Sequence, residues 1–469
     1  MADAMSESLN YRQMKQRAVA ARSFRVKIPS SNSTTFTSGQ TINIDLPGNL
    51  AGQYYNFNQM YLKMKVKNNN SVDIDLDRGG AFSFVKRLQI STAGSQLMDL
   101  NNFNVLATAL LDTDSSQDWK GSNGNILLGT RADCLKGETI VAGGERTFCI
   151  PMVLNVLANT SPHRLVPAFS LGSLQLKLTT EEYVNCGVFD DAATNKDESF
   201  TFSEVEMVCL MTELSSGAQS AVDQMNGGQY NILATSWMNS GANLAAGNTT
   251  LTANLGISVS SLERIIMVCR PASTINVKTA FSLGNRSKNK LLRYQFIVNS
   301  EGYPARPIEV DAKGAEVYAE YLISNHSLVN FREGCGIQNG ASAITETAGK
   351  GLLAGAFGTG DPNLASRYPY TAESVNAAGT TAGDIATVAD TAGTPSNIGT
   401  FLASVEFESA LSDGKSSTLY SGISTISSTT QFRGEYDSGT LSSQLDFFAQ
   451  YSVLMSLDMR GTAVWSVSI

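Results

Sequence analysis

The sequence predicts an all-β protein with minor helices, built as two consecutive eight-stranded antiparallel jelly rolls. Three observations predict it. Short segments of period-2 hydrophobicity, separated by turn residues, recur from Phe24 to the end of the chain. Charged residues make up only 16% of a chain with 40 glycines, a balance that favours sheets and turns over helical bundles. One unit, strand, tight turn, return strand and helix, occurs twice. At 469 residues the chain also exceeds the roughly 250–300 residues at which single cores stop growing, so two domains are expected.

The first copy of the unit spans residues 81–111. Phe82, Phe84, Leu88 and Ile90 fall on one face, and Val85, Arg87, Gln89 and Ser91 on the other; Lys86 alone breaks the alternation. Ala93-Gly94-Ser95 supplies a glycine for a tight turn, and Gln96-Leu97-Met98 can pair back. Asn101 or Asn102 can then cap a helix of one or two turns with Phe103, Leu106 and Leu110 at helical spacing.

Ahead of this unit, residues 1–23 read as a basic N-terminal arm with helix-compatible composition over 6–21. Arg12, Lys15, Arg17, Arg22, Arg25 and Lys27 face only Asp3 and Glu7. Both a solvated tail and an arm that reaches a neighbour, a membrane surface or a packaged genome fit this pattern. Net charge of -8 excludes the folded body as a general nucleic-acid binder, so any phosphate contact falls to this segment.

From Phe24 the pattern is β. Residues 41–46 alternate and stop at Pro47-Gly48, and residues 61–67 place Leu62, Met64 and Val66 inward with Lys63, Lys65 and Lys67 outward. Residues 146–157 form an apolar run fit for a buried strand; 171–178 alternate, and 200–214 close a set of about eight strands, the content of a jelly roll. The first roll is therefore placed at 24–214, followed by a polar connector at 215–229 and a second roll at 230–469.

The second roll repeats the order. Short strands at 230–237 and 251–255 precede a strong one at 262–269. Tyr294, Phe296 and Val298 then alternate into Ser300-Glu301-Gly302, a return segment follows at 303–310, and 315–323 supplies a helix offering Val317, Tyr318, Tyr321 and Leu322. Gly302 lies 208 residues after Gly94, a duplication signal carried by pattern more than by residue identity. Residues 336–400, rich in Gly, Ala, Thr and Ser, cannot make a core of any size and are placed as a surface insertion. The clearest strand comes near the end, where Leu445, Phe447, Ala449, Tyr451, Val453, Met455, Leu457 and Met459 share a face. Ala463, Trp465, Val467 and Ile469 make the terminus apolar, which predicts that it docks.

The residues offer no catalytic signature. His163 and His326 stand in polar loop contexts with no second histidine at ligand spacing, and no nucleophile elbow, phosphate-binding loop or dinucleotide fingerprint occurs. Asp73, Asp75 and Asp77 start like a calcium loop, but Arg78 and Phe84 occupy its glycine and glutamate positions. The six cysteines lie at least fifteen residues apart without a C-x-x-C, which predicts reduced, mostly buried thiols. No enzyme, cofactor or metal site is expected. The polar first thirty residues hold no signal peptide, and no run reaches about 18 apolar residues, so synthesis in a cytosol without secretion is expected.

The order of these segments is recognisable. The hairpin and helix at 82–111, Ser161-Pro162-His163-Arg164-Leu165-Val166-Pro167 before 171–178, the second unit with Tyr303-Pro304-Ala305-Arg306-Pro307, and Leu419-Tyr420-Ser421-Gly422-Ile423 before the closing strands together carry it. The chain thereby resembles the double jelly-roll major capsid proteins of tailless icosahedral DNA viruses, most of all the polinton-type and hexon-like branch; the basic extension and the 336–400 insertion depart from that pattern. The resemblance implies two rolls standing side by side, a homotrimer with six similar lobes forming a pseudo-hexagonal capsomer, and a place in the virion shell. It further implies contacts with neighbouring capsomers, penton and minor capsid proteins, no small-molecule substrate, and an inward-facing base from which Arg12 to Lys27 could meet an internal membrane or the genome. A carbohydrate-binding or adhesive jelly-roll protein is the main alternative, and an enzyme built on scattered acid pairs is another.

Overall fold

The computed structural model describes residues 21–469 apart from 49, 93–94, 132–135, 162–163, 171–173, 190–198, 278–280, 312–313, 329–398, 409–421, 459–464 and 469. Sixteen of the twenty-three strands among the described residues carry the architecture. The first eight are β1 (Ala21–Pro29), β2 (Thr41–Leu46), β3 (Gln53–Asn68), β4 (Val85–Thr92), β5 (Ser95–Leu100), β6 (Glu145–Pro151), β7 (Leu174–Thr180) and β8 (Phe200–Leu214). They form two antiparallel sheets, ordered β1-β8-β3-β6 and β2-β7-β4-β5.

The second eight are β9 (Gln229–Leu244), β10 (Thr250–Asn254), β11 (Leu262–Pro271), β12 (Leu291–Val298), β13 (Glu301–Glu309), β14 (Ala403–Glu406), β15 (Thr430–Tyr436) and β16 (Ser443–Asp458). Their sheets run β9-β16-β11-β14 and β10-β15-β12-β13. Adding eight to each strand of the first half gives the order of the second. In each half the first strand pairs with the last and the second with the seventh, the winding of a jelly roll, so the expected fold class is the observed one.

Alternation accounts for most of these strands. In β3, Leu62, Met64 and Val66 are fully buried while Lys63, Lys65 and Lys67 point outward; in β7, Leu174, Leu176 and Leu178 are buried. The inward faces meet through aromatic clusters. Phe84 lies 5.5–5.6 Å from the rings of Phe148, Phe200 and Phe202. In the second half Phe296, Phe407, Phe432 and Phe447 pack at 5.0–6.2 Å. Such edge-to-face rings add to the area they bury.

The duplicated unit is present in both halves, with corrections to its details. Phe82 and Phe84 are buried but belong to a 3₁₀ turn, Gly80–Phe84, and the strand begins at Val85. Gly80 starts that turn at φ 58°, and a Cβ there would stand 2.3 Å from the Leu128 carbonyl oxygen. The pairing of β7 with β4 skips Lys86, leaving a bulge that turns Val85 inward and Lys86 outward toward Glu181 at 3.4 Å. The bulge is the physical reason for the broken alternation. The expected turn residues Ala93 and Gly94 lie outside the described residues, but β4 and β5 pair from Thr92↔Ser95 to Leu88↔Leu100 as a hairpin requires. The helix that follows, α1 (Phe103–Asp114), has three turns, not one or two, because it is buried on nearly every side. Asn102 holds the N-cap position at φ 51° without capping; its side-chain amide donates instead to Asp446 of β16 at 2.9 Å.

In the second copy the turn is Asn299-Ser300, with φ 51° and 70°, between the paired residues Val298 and Glu301. Gly302 is therefore a strand residue: a Cβ there would collide with the side chain of Gln295, whose amide donates to the Pro304 carbonyl at 2.7 Å. Helix α3 (Ala315–Ser324) follows, with Val317 and Tyr321 buried and Tyr318 and Leu322 packed against the core.

Other boundaries also shift. The strand expected over 146–157 ends at Pro151, after which Met152, Leu154, Val156 and Leu157 are buried in turns. The connector contains helix α2 (Ser216–Met225), whose Ala218 amide donates to the Ser215 hydroxyl at 3.4 Å, and β9 already begins at Gln229. β16 is buried on both faces in its middle, Phe448 and Asp446 included, because it lies between β9 and β11. Residues Trp465–Ser468 pair with β16 and so add a strand to its sheet. Cys186, Cys209 and Cys269 are buried free thiols and Cys149 is half-buried; Cys134, Cys335 and, apart from 399–400, the expected insertion lie outside the described residues.

Candidate functional site

The two halves meet across a buried ionic junction. Asp112, near the end of α1, accepts from Lys120 Nζ at 2.9 Å and from Arg286 Nη2, in the second half, at 2.7 Å, and Arg78 Nε stands 3.5 Å away. All four side chains are at most 3% exposed. Arg78 donates further to the carbonyls of Gly284 and Gly399, and Asp77 accepts from the Leu283 amide at 3.0 Å. Beside this cluster Arg270 grips Asp446 through two hydrogen bonds of 2.7 and 3.0 Å. Tyr321 of α3 donates to Asp114 of α1 at 3.2 Å, so the helices of the two repeats touch directly. Thr160–Ser161 of the first half completes the contact by pairing with Ala234 and Leu233 of β9.

Burial alone would raise the carboxyl pKa of Asp112, but Lys120, Arg78 and Arg286 outweigh it and hold it well below the usual carboxylate range. Burial dominates at Asp77, whose pKa is raised despite Arg78 and the backbone amides of Gly284, Leu283 and Arg78. Burial likewise lowers the pKa of Arg286. A network of this kind costs desolvation and fixes geometry: removing one partner leaves an uncompensated buried charge. It can lock two rolls into one fixed relation, and nothing in it resembles a nucleophile held by a base.

No local motif marks this junction, though a signal for it exists in the residues. Asp112 and Asp446 each interrupt a strongly apolar run, and a charge at a core position requires a partner.

The basic segment is divided by the structure. Arg22, Arg25 and Lys27 lie in β1, which runs against β8 from Ala21↔Leu214 to Pro29↔Glu206, so the arm does not extend to residue 23. Arg22 pairs with Glu213 at 2.6 Å and Lys27 with Glu206 at 3.7 Å, part of an exposed charge ladder in which Lys63 and Lys65 meet Glu204, Glu206 and Glu145. Arg12, Lys15 and Arg17 lie outside the described residues.

The carboxylates of the calcium-like sequence are spent elsewhere. Asp75 binds Lys136 at 2.7 Å and accepts from Thr139, Asp73 accepts from the Ala142 amide at 2.8 Å, and Asp77 faces the junction. His163 lies outside the described residues, and His326 stands beside Glu406 and Glu408. A largely apolar cleft of about 560 Å³ lies between the halves, lined by Phe82, Leu110, Trp119, Val153, Trp237 and Arg264 among others.

No family model matches the chain, and no curated protein matches it in sequence. Solved structures do match its fold. PBCV-1 VP54, as fitted into a reconstruction of the virophage Sputnik, superposes with a TM-score of 0.57 at 10% identity, over 97% of this chain and 99% of that one. The chain from the 3.5 Å structure of the Sputnik virophage gives 0.55 at 8% identity over 99% and 92%. The mavirus major capsid protein gives 0.51 at 10% identity over 99% and 95%. The chain is thus a double jelly-roll protein. Along nearly its whole length its fold is that of the double jelly-roll major capsid proteins, as the order of its sequence segments implied.

Proposed function

We propose that this protein is a structural, non-catalytic major capsid protein, and that its chains trimerise into pseudo-hexagonal capsomers that tile an icosahedral virion shell. The observation that carries the reading is the repeated strand order, β1-β8-β3-β6 with β2-β7-β4-β5 and the same order eight strands later. Two similar lobes per chain let a threefold molecule present six similar lobes, which suits a hexagonal lattice. The buried ionic junction supports the same reading, since a tiling unit needs its two lobes in one fixed relation. In this reading residues 21–214 and 229–468 are the two rolls, and partners are neighbouring capsomers, penton and minor capsid proteins.

The basic residues ahead of β1, Arg12, Lys15 and Arg17, form an extension that meets an anionic surface on the inner side of the shell, an internal membrane or the genome. Arg22 and Lys27 contribute less, being paired with Glu213 and Glu206.

Light scattering on the purified full-length protein tests trimerisation: three times the 50.1 kDa chain mass is expected, and a monomer at all concentrations would refute it. Removing residues 1–20 should leave the protein trimeric, at three times the shortened chain's mass, and abolish binding to anionic vesicles or to DNA, whichever the intact protein binds; unchanged binding would overturn the role of the extension.

A further inference from the structure

Helix α3 ends at Ser324, and two residues later the chain places His326 at φ 51° against the outgoing end of β14. There Glu406 and Glu408, two residues apart on extended chain, point to the same side, while Phe407 between them is buried in the core and its amide donates to the Glu263 carbonyl at 2.7 Å. His326 Nδ1 lies 3.8 Å from Glu406 Oε1, and His326 Nε2 lies 3.9 Å from Glu408 Oε2. These separations exceed hydrogen-bond distance. One donor atom from each of the three residues falls within 4.8 Å of the others.

The carboxylates are largely buried, and one oxygen of each lacks a hydrogen-bond donor. The Glu408 side chain is only 8% exposed and that of Glu406 11%, and neither Glu406 Oε1 nor Glu408 Oε2 has a hydrogen-bond partner among the described residues. Each atom lies within 3.9 Å of an imidazole nitrogen, and the three residues together line a pocket of about 70 Å³, enough for an ion and a water. A buried carboxylate oxygen without a donor is costly unless a cation satisfies it. Arg264 favours the charge on Glu406 from nearby but makes no hydrogen bond to either of these two oxygens. Arg264 is committed to Gln450 Oε1 at 2.5 Å, Asn325 Oδ1 at 2.9 Å and the Ser324 carbonyl at 3.2 Å, with its guanidinium over the Trp237 ring. Glu263 accepts from Gln450 at 2.8 Å and from Ser452, and adds negative charge, as does Glu320 of α3.

We propose that His326, Glu406 and Glu408 form a binding site for a divalent transition-metal cation of the Zn²⁺ class, with water in the remaining position. Tetrahedral zinc with ligands at about 2.0–2.2 Å brings donor atoms to about 3.4 Å from one another, so the three residues, whose donor atoms lie within 4.8 Å of one another, close by up to about 1.4 Å around the ion and offer it one of the two imidazole nitrogens. The nitrogen donor distinguishes the site from those for Mg²⁺ and Ca²⁺, which prefer oxygen alone. The bound ion staples the end of α3 to the end of β14, which the sequence separates by eighty residues. Local ligand spacing could not show it. The site is independent of the capsid reading and requires only the fold of the second roll.

The test uses full-length protein stripped with a chelator and titrated calorimetrically with ZnCl₂ and, separately, MgCl₂. The expected result is one Zn²⁺ per chain at this site, with no comparable uptake of Mg²⁺. His326→Ala and the double substitution Glu406→Gln/Glu408→Gln should each remove that equivalent or weaken it by more than about tenfold. His326 is 36% exposed, so its variant is expected to fold, and matching melts of the metal-free proteins check this. No uptake by the unsubstituted chain, equal uptake of Mg²⁺, or a folded His326→Ala with unchanged zinc affinity would overturn the assignment.

Discussion

Arg286, from the second half of the chain, donates to Asp112 at the end of helix α1 at 2.7 Å, with neither side chain more than 3% exposed. The contact spans 174 residues of sequence and joins two rolls that each have their own sheets. Lys120 and Arg78 reach the same carboxylate, so three cations converge on one anion.

Asp112→Asn should therefore be strongly destabilising. It keeps the shape and leaves Lys120, Arg78 and Arg286 buried without their counter-charge, a loss of about 3–5 kcal/mol by analogy with other broken buried pairs. Denaturant unfolding of the two proteins measures it, and a difference under about 1 kcal/mol would contradict the role assigned to the junction.

The junction also fixes the sign of a pH dependence. Asp112 has a folded-state pKa below its unfolded one, so its contribution is fully present above the unfolded value of about 3.9 and is lost as pH falls below that toward the folded value. Asp77 carries the opposite sign: its folded pKa is raised by burial, so acidification relieves a cost. Acid unfolding should accordingly be shallower in Asp112→Asn than in the unsubstituted protein, and steeper in Asp77→Asn. The same slope in all three would refute this division.

Ser300 sits in the second hairpin turn at φ 70°, which suits glycine better than a residue with a Cβ. Ser300→Gly should stabilise the protein by about 1 kcal/mol, read as a higher melting temperature, whereas Gly302→Val should destabilise it by driving a side chain into Gln295. Unchanged melting in both would contradict the placement of the turn at Asn299-Ser300.

Phe84 touches three rings from β6 and β8. Phe84→Ala should cost about 3–5 kcal/mol through lost burial and the cavity left behind. Thermal unfolding of the full-length variant checks it; a shift of only a degree or two would mean the aromatic cluster relaxes freely.

Much of the fold was legible in the residues because a half-buried strand writes its inward face in period 2, as Leu62, Met64 and Val66 do. The repeat was legible as a pattern of elements, although the glycine offered as its marker, Gly302, turned out to serve a side chain of the neighbouring strand. What stayed hidden depends on register or on distance in space. The bulge at Lys86 comes from pairing with β7, a strand some ninety residues on. Helix α2 was obscured by the polar composition of 215–229, since it buries none of its residues. The junction, and the cluster of His326 with Glu406 and Glu408, unite residues that no local motif connects.

The role proposed for the duplicated roll is to build a threefold, six-lobed shell unit. Negative-stain class averages of the purified full-length protein test it most directly. Triangular or pseudo-hexagonal particles with threefold symmetry are predicted; isolated two-lobed particles at every concentration examined would contradict it.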